Sequence, residues 1–168
     1  MRVQQQHLGI FSPHVDELVS TLAQAAAGGE IVDLQPFFYE FTLSTTTELL
    51  FGEPYSNMPK KERDALRDNF DCATFGVGVR VRLAELAPIY NPPKFRKACK
   101  GVREWATFFA DKAFRYKDEV GEEKAFEKYS FIMDLWKEMG DEALVRDQLL
   151  HILMAGRDST AALLSWTW

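Results

Sequence analysis

The residues able to do chemistry in this chain lie close together. Ala155-Gly156-Arg157-Asp158-Ser159-Thr160 brings an acid, two hydroxyls and a residue without a side chain into one short run. A carboxylate beside a hydroxyl can pass protons, because the hydroxyl both donates and accepts. On a helix Ala155 and Ser159 share one face, and Gly156 and Thr160 share the next. Small residues there let something flat approach the backbone. A Ser or Thr hydroxyl that bonds back to the carbonyl one turn earlier bends a helix and opens room for water or a small molecule. Asp158, Ser159 and Thr160 are therefore the candidate catalytic residues, and Ala155 and Gly156 the candidate binding residues. The same run also fits a kinked core helix whose Asp158 is paired with Arg157 or Arg146. Spacing alone leaves both open.

These residues sit in the longest helical stretch, expected over 141–168. Asp141 is a natural N-cap, and Glu142 suits the positive end of the helix dipole. Leu149, Leu150, Ile152, Leu153 and Met154 run almost without a polar break, so this helix should be buried. His151, within it, is expected to be a satisfied core histidine. The elements before it are also helical. Residues 1–12 read as an irregular start; Ser12 and Pro13 then open a helix that Gly28-Gly29 ends. His14 near its start reads as solvated, and His7 carries no signal. Asp33 caps a helix with Pro36 in its first turn and Gly52 at its end. Residues 53–59 form a turn region, and a helix is expected over 60–83. Pro88, Pro92 and Pro93 mark a loop before a helix over 94–117. A charged turn follows over 118–124, then an amphipathic helix over 126–139 that Gly140 closes. No alternating strand pattern and no internal repeat appear, so the fold class is all-α with no substantial sheet.

Composition narrows the function. Net charge is −5, which disfavours nucleic acid as a partner. The basic positions Arg96, Lys97, Lys100, Arg103 and Lys112 read as a solvated helix face. Cys72 and Cys99 are too few for a disulfide framework and do not form a metal-binding pair. No metal ligands are assigned. Gly76-Val77-Gly78 lacks the third glycine and the preceding strand of a dinucleotide loop. No stretch is long and apolar enough to span a membrane, and no apolar leader follows Met1.

A family resemblance adds to this reading. Residues 155–161 (AGRDSTA) resemble the oxygen-groove motif in the long central helix of the cytochrome P450 haem-thiolate monooxygenases. Tyr129 to Asp134 and Val145 to Leu150 resemble the H helix and the early part of that central I helix in the fungal branch that oxidises alkanes and fatty acids. Arg80-Val81-Arg82-Leu83, Ile89-Tyr90-Asn91-Pro92 and Lys94 to Lys100 are similar to that branch's F-to-G segment. Leu34 to Phe38 and Thr47 to Glu53 are similar to its E helix. The resemblance covers most of the chain, in family order.

The resemblance implies a single partial P450 domain over 1–168, roughly the D to I helices, truncated at both ends relative to the family. It implies haem as cofactor, an apolar small molecule as substrate, and electrons from an NADPH-dependent reductase. It implies the cytosolic face of the endoplasmic reticulum membrane, reached through an N-terminal anchor missing here. Asp158 and the hydroxyl after it would deliver protons to the oxygen groove; Ser159 stands where the family usually has threonine. Phe75, Leu86, Ile89 and Tyr90 would approach substrate. Phe75-Gly76-Val77-Gly78-Val79-Arg80-Val81-Arg82 imitates the family's haem-binding loop, but Arg82 stands where the axial cysteine belongs and the run precedes the groove helix, so it is rejected. With that cysteine loop absent, the chain is expected to be inactive alone. The alternative is a non-catalytic helical domain that binds an apolar ligand or acts as a scaffold.

Overall fold

The structure is a computed structural model that describes residues 2–29 and 31–167, with side chains from residue 9 onward. Among the described residues there are seven α-helices and no strand. In chain order they are α1 (Arg2–Ala26), α2 (Gln35–Phe51), α3 (Lys60–Leu83), α4 (Pro93–Val120), α5 (Glu122–Lys128), α6 (Ser130–Met139) and α7 (Glu142–Thr167). Short 3-10 segments lie at Tyr55–Asn57 and Ala84–Ile89. This is the all-α architecture expected from the sequence. The most extensive packing is α7 on α2 and α3 on α4; α1 packs on α2, and α6 and α4 also touch α7.

The apolar spacing explains the packing. On α4, Ala98, Val102, Ala106, Phe109 and Ala113 recur at three- and four-residue intervals, and all are buried. α3 and α4 come close at Gly101, where a Cβ would stand 2.6 Å from Asn69 Nδ2 of α3. Phe51, at the end of α2, meets Trp105 edge-on at a centroid distance of 5.2 Å, which ties α2 to α4. On α7 the buried stripe is Val145, Leu149, Leu153, Arg157 and Ala161, each four residues from the last.

Helix ends follow local chemistry. Gly52 and Gly140 take left-handed φ values of 68° and 67°, and their N–H groups bond to the carbonyls of Glu48 and Trp136. Asp141 Oδ1 accepts the Ala143 N–H at 2.7 Å, the expected N-cap bond. Asp33 Oδ1 accepts the Gln35 N–H at 3.1 Å at the start of α2.

Several expectations change. The start of the chain is helical from Arg2, and Pro13 lies inside α1 rather than in its first turn. A proline inside a helix removes one amide bond and presses on the carbonyl four residues back, here that of Gly9, without preventing the turns on either side. The charged turn over 118–124 shrinks to Gly121, which separates α4 from α5 with a φ of 91°. The helix over 126–139 is two helices, because Tyr129 leaves helical geometry between α5 and α6. His14 is buried, not solvated, and its Nε2 meets Glu48 Oε2 of α2. His151 is exposed, not core, because it sits opposite the buried stripe of α7. His7 and Trp168 lie outside the residues whose side chains are described.

Candidate active site

The site is built on the two sides of α7. The side that meets α2 and α3 carries Arg157, a charge placed on an otherwise apolar stripe. Its side chain is 3% exposed. A buried guanidinium needs carboxylate partners, or its desolvation is uncompensated. Arg157 Nη1 forms an ion pair with Asp71 Oδ1 of α3 at 2.7 Å and donates a hydrogen bond to Asp158 Oδ1 at 3.2 Å. The cation also lies 4.8 Å from the ring of Tyr39 on α2 and 5.0 Å from that of Phe70 on α3. Three helices thus meet at one side chain. Its Nε has no partner among the described residues.

Asp158 therefore has an arginine partner, and it is Arg157. Arg146 serves elsewhere, bonded to Asp111 of α4 at 2.7 Å and to Glu142 at 3.0 Å. Burial pushes the Arg146 guanidinium down, but those two carboxylates together push it above its ordinary value. The Asp158 side chain remains 27% exposed, so its pairing does not seal it from water.

The opposite side of α7 is open. His151, Ala155, Ser159, Leu163 and Trp166 are all exposed and recur at helical spacing. Thr160 is exposed beside them. Leu163 is 63% and Trp166 89% exposed, a level of apolar exposure that marks a surface made to be covered. Ser159 Oγ donates to the Ala155 carbonyl at 2.7 Å, the expected back-bond. It does not break the helix, which is continuous from Glu142 to Thr167. A hydroxyl can add a bond to a carbonyl that keeps its amide partner. The room on this face thus comes from the small side chains at 155 and 159, not from an interruption in the helix. Gly156 faces α2: a Cβ there would stand 3.2 Å from both Cγ2 and Oγ1 of Thr46, so its missing side chain brings the two helices close.

A second feature lies at the junction of α3 and α4. A groove of about 660 Å³ is lined by Asp71, Cys72, Phe75, Tyr90 and Phe95 among others. Phe75 and Tyr90 share this groove; Leu86 and Ile89 do not line it and project from the 3-10 segment, 58% and 78% exposed. Phe75 to Arg82, the imitation of a haem loop, is ordinary α3 helix. Cys72 and Cys99 lie on α3 and α4, partly buried against the core. No group of three His, Cys, Asp or Glu side chains suited to a metal ion occurs among the described residues.

Asp71 is the site residue that the motif analysis passed over. The signal was indirect: an arginine in step with Leu149 and Leu153 requires an acid from a neighbouring helix. Nothing in the spacing says which one.

In this all-α chain α7, which at 26 residues is second to α4 with 28 and not the longest element expected, carries an acid and a hydroxyl beside a strip of small, exposed residues. Comparison with known proteins assigns the family. The Cytochrome P450 family model matches residues 3–167, and the chain belongs to that family. It is 35% identical to Cytochrome P450 52A13 of Debaryomyces hansenii over 99% of this chain and 34% of the relative. It is 34% identical to Cytochrome P450 52-E3 of Starmerella bombicola over 99% of this chain and 34% of the relative. It is 33% identical to Cytochrome P450 52A3-B of Candida maltosa over 98% of this chain and 33% of the relative. The chain thus spans about a third of the length of the curated relatives it matches. No solved structure matches it.

The family's cofactor is haem. The open side of α7 fits one wall of a haem site: it is flat at Ala155 and Ser159 and apolar at Leu163 and Trp166. Neither cysteine lies on that side.

Proposed function

We propose that this chain provides the oxygen-side wall and part of the substrate cover of a haem-dependent monooxygenase that hydroxylates an apolar molecule such as a fatty acid or alkane. The observation that carries the reading is the exposed strip of α7 with Asp158 and Ser159 beside its centre. When bound through a cysteine thiolate, haem supplies the activation of oxygen.

The chain's own residues have separable tasks. Ala155 and Ser159 form the flat part of the wall, and Gly156, the other candidate binding residue, lets α7 lie close on α2 behind it. Asp158, half-open to water, exchanges protons with solvent. Ser159 and Thr160 place hydroxyls where a proton can be handed on. Ser159 must leave its bond to the Ala155 carbonyl to do so, and without threonine's methyl it rotates readily. Phe75, Tyr90 and Phe95 offer aromatic surface to the hydrocarbon part of a substrate in a groove that Asp68, Asp71 and Lys94 also line. Electrons come from an NADPH-dependent reductase. The setting is the cytosolic face of the endoplasmic reticulum membrane; no described helix of this chain is long and apolar enough to cross it. By itself the chain is expected to be inactive, since neither Cys72, which lines the α3–α4 groove, nor Cys99 lies on the open side of α7.

Product analysis tests this. A haem-loaded protein carrying this segment, given a reductase, NADPH and a long-chain fatty acid or alkane, is expected to yield hydroxylated product. The isolated chain mixed with haem is expected to yield none and to show no thiolate-type carbon monoxide spectrum. Product from neither substrate class in the loaded protein, or turnover by the isolated chain, would overturn the reading.

A further inference from the structure

The buried cation of Arg157 is shared. One nitrogen, Nη1, contacts two carboxylates, and the shorter contact goes to the acid on the other helix: 2.7 Å to Asp71 against 3.2 Å to Asp158. Asp71 is the closer ion pair and takes the larger Coulombic share, whereas the hydrogen bond to Asp158 is long for a charge-assisted one, which usually spans about 2.7–2.9 Å. The guanidinium has little freedom to move toward either acid. Tyr39 and Phe70 lie against it, and its side chain is almost fully buried. The two acids differ in setting. Asp71 is 57% exposed and lines the α3–α4 groove; Asp158 is 27% exposed.

We propose that Asp71 is a positioning residue for Asp158: by satisfying most of the Arg157 cation, it keeps Asp158 loosely held and free to turn toward water. The inference rests on the proton-passing role given to Asp158 above. Without Asp71, the buried cation has Asp158 as its one remaining carboxylate among the described residues. A buried charge left with a single partner holds that partner tightly. Asp158 would then be clamped against α7. Asp71 also lies on the wall of the groove assigned to substrate, so whatever fills the groove beside Asp71 also affects how firmly Asp158 is held.

The experiment is carboxyl footprinting of the full chain. Carbodiimide and an amine label accessible carboxylates, and mass spectrometry reads the yield at Asp158. In Asp71→Asn the Asp158 yield is expected to fall about threefold or more, as expected for a strengthened charged hydrogen bond. Asp71→Glu restores the carboxylate and is expected to return the yield toward the parent value, which a merely structural effect would not do. Asp71→Asn weakens the pairing of a buried cation and is expected to lower stability, so labelling is carried out where far-ultraviolet circular dichroism shows each variant folded, and Asp71→Glu restores the charge. Equal Asp158 labelling in the parent chain and Asp71→Asn, or no recovery in Asp71→Glu, overturns the proposal. The proton-passing role is tested separately, in a haem-loaded protein carrying this segment. There, an Asp158→Asn variant with an unaltered solvent isotope effect removes that role while leaving the footprinting result intact.

Discussion

Gly76 and Gly78 lie two residues apart in α3, and alanine should have opposite effects at the two. Both are helical, so either replacement gains about 1 kcal/mol of helix propensity. At Gly78 a new Cβ meets nothing within 4 Å, so the gain is uncontested. At Gly76 it would stand 2.1 Å from Cδ2 and 2.4 Å from Cε2 of Phe95, where ordinary contact begins at 3.4 Å. The ring would have to shift by more than an ångström. It has nowhere easy to go: Phe95 is 5% exposed, Tyr90 lies 5.8 Å from it, and Arg80 covers its ring. Overpacking of this kind costs about 1–3 kcal/mol, and forcing a ring off α3 belongs at the upper end. The net expectation for Gly76→Ala is a loss of about 1–2 kcal/mol, and for Gly78→Ala a gain of up to about 1 kcal/mol. Urea unfolding followed by circular dichroism measures both; the midpoints should move apart while the slope is unchanged. If both variants move in the same direction by the same amount, the packing of Phe95 on α3 is not as described.

Other consequences follow from single residues. His14→Ala removes a buried ring and its bond to Glu48, and should weaken the α1–α2 contact by about 1–2 kcal/mol; faster amide exchange confined to α1 checks this, and unchanged exchange contradicts it. Asp141→Ala loses the cap on α7 and should cost about 1 kcal/mol, with Asp141→Ser recovering most of it in the same unfolding assay. Burial, then the nearby Cys72, raises the Cys99 thiol above its ordinary value. The folded chain therefore keeps that proton to higher pH than the unfolded chain does. Its contribution is intact below the unfolded thiol's range and is lost as pH rises through the folded one. Alkylation of Cys99 should accordingly reach its half-maximal rate at higher pH than a small free thiol; coincident profiles would contradict the burial.

The helices were legible wherever the signal was local. Gly52, Gly140 and Asp141 announce ends and a start through their own backbone and side-chain chemistry, and the observed caps match. The bounds of α3 came through despite Gly76 and Gly78, because the apolar spacing of Leu66, Phe70 and Ala73 outweighs two glycines. What local signals missed was set by other parts of the chain. Pro13 marks a helix start in isolation, yet the turns before it are helical too. His14 looks solvated until Glu48 appears thirty-four residues later. Gly76 looks like weakness in a helix until the Phe95 ring is seen lying on it. In the site, the acid and hydroxyls could be read from their order, but the source of the open face could not. Ser159 bonds back to Ala155 while the helix stays continuous, so openness there depends on side-chain size. Arg157 was recognisable as a partner for Asp158; its nearer ion-pair partner, Asp71, was not, because sequence distance carries no information about which face of α3 meets α7.

The role of the α7 acid is tested most directly by how consumed NADPH divides between hydroxylated product and hydrogen peroxide in a haem-loaded protein carrying this segment. With Asp158→Asn, product is expected to fall by about two orders of magnitude, the usual contribution of a positioned proton donor, while peroxide takes a larger share. If product and peroxide keep their parent ratio, Asp158 passes no proton that matters, and the open side of α7 is a wall and nothing more.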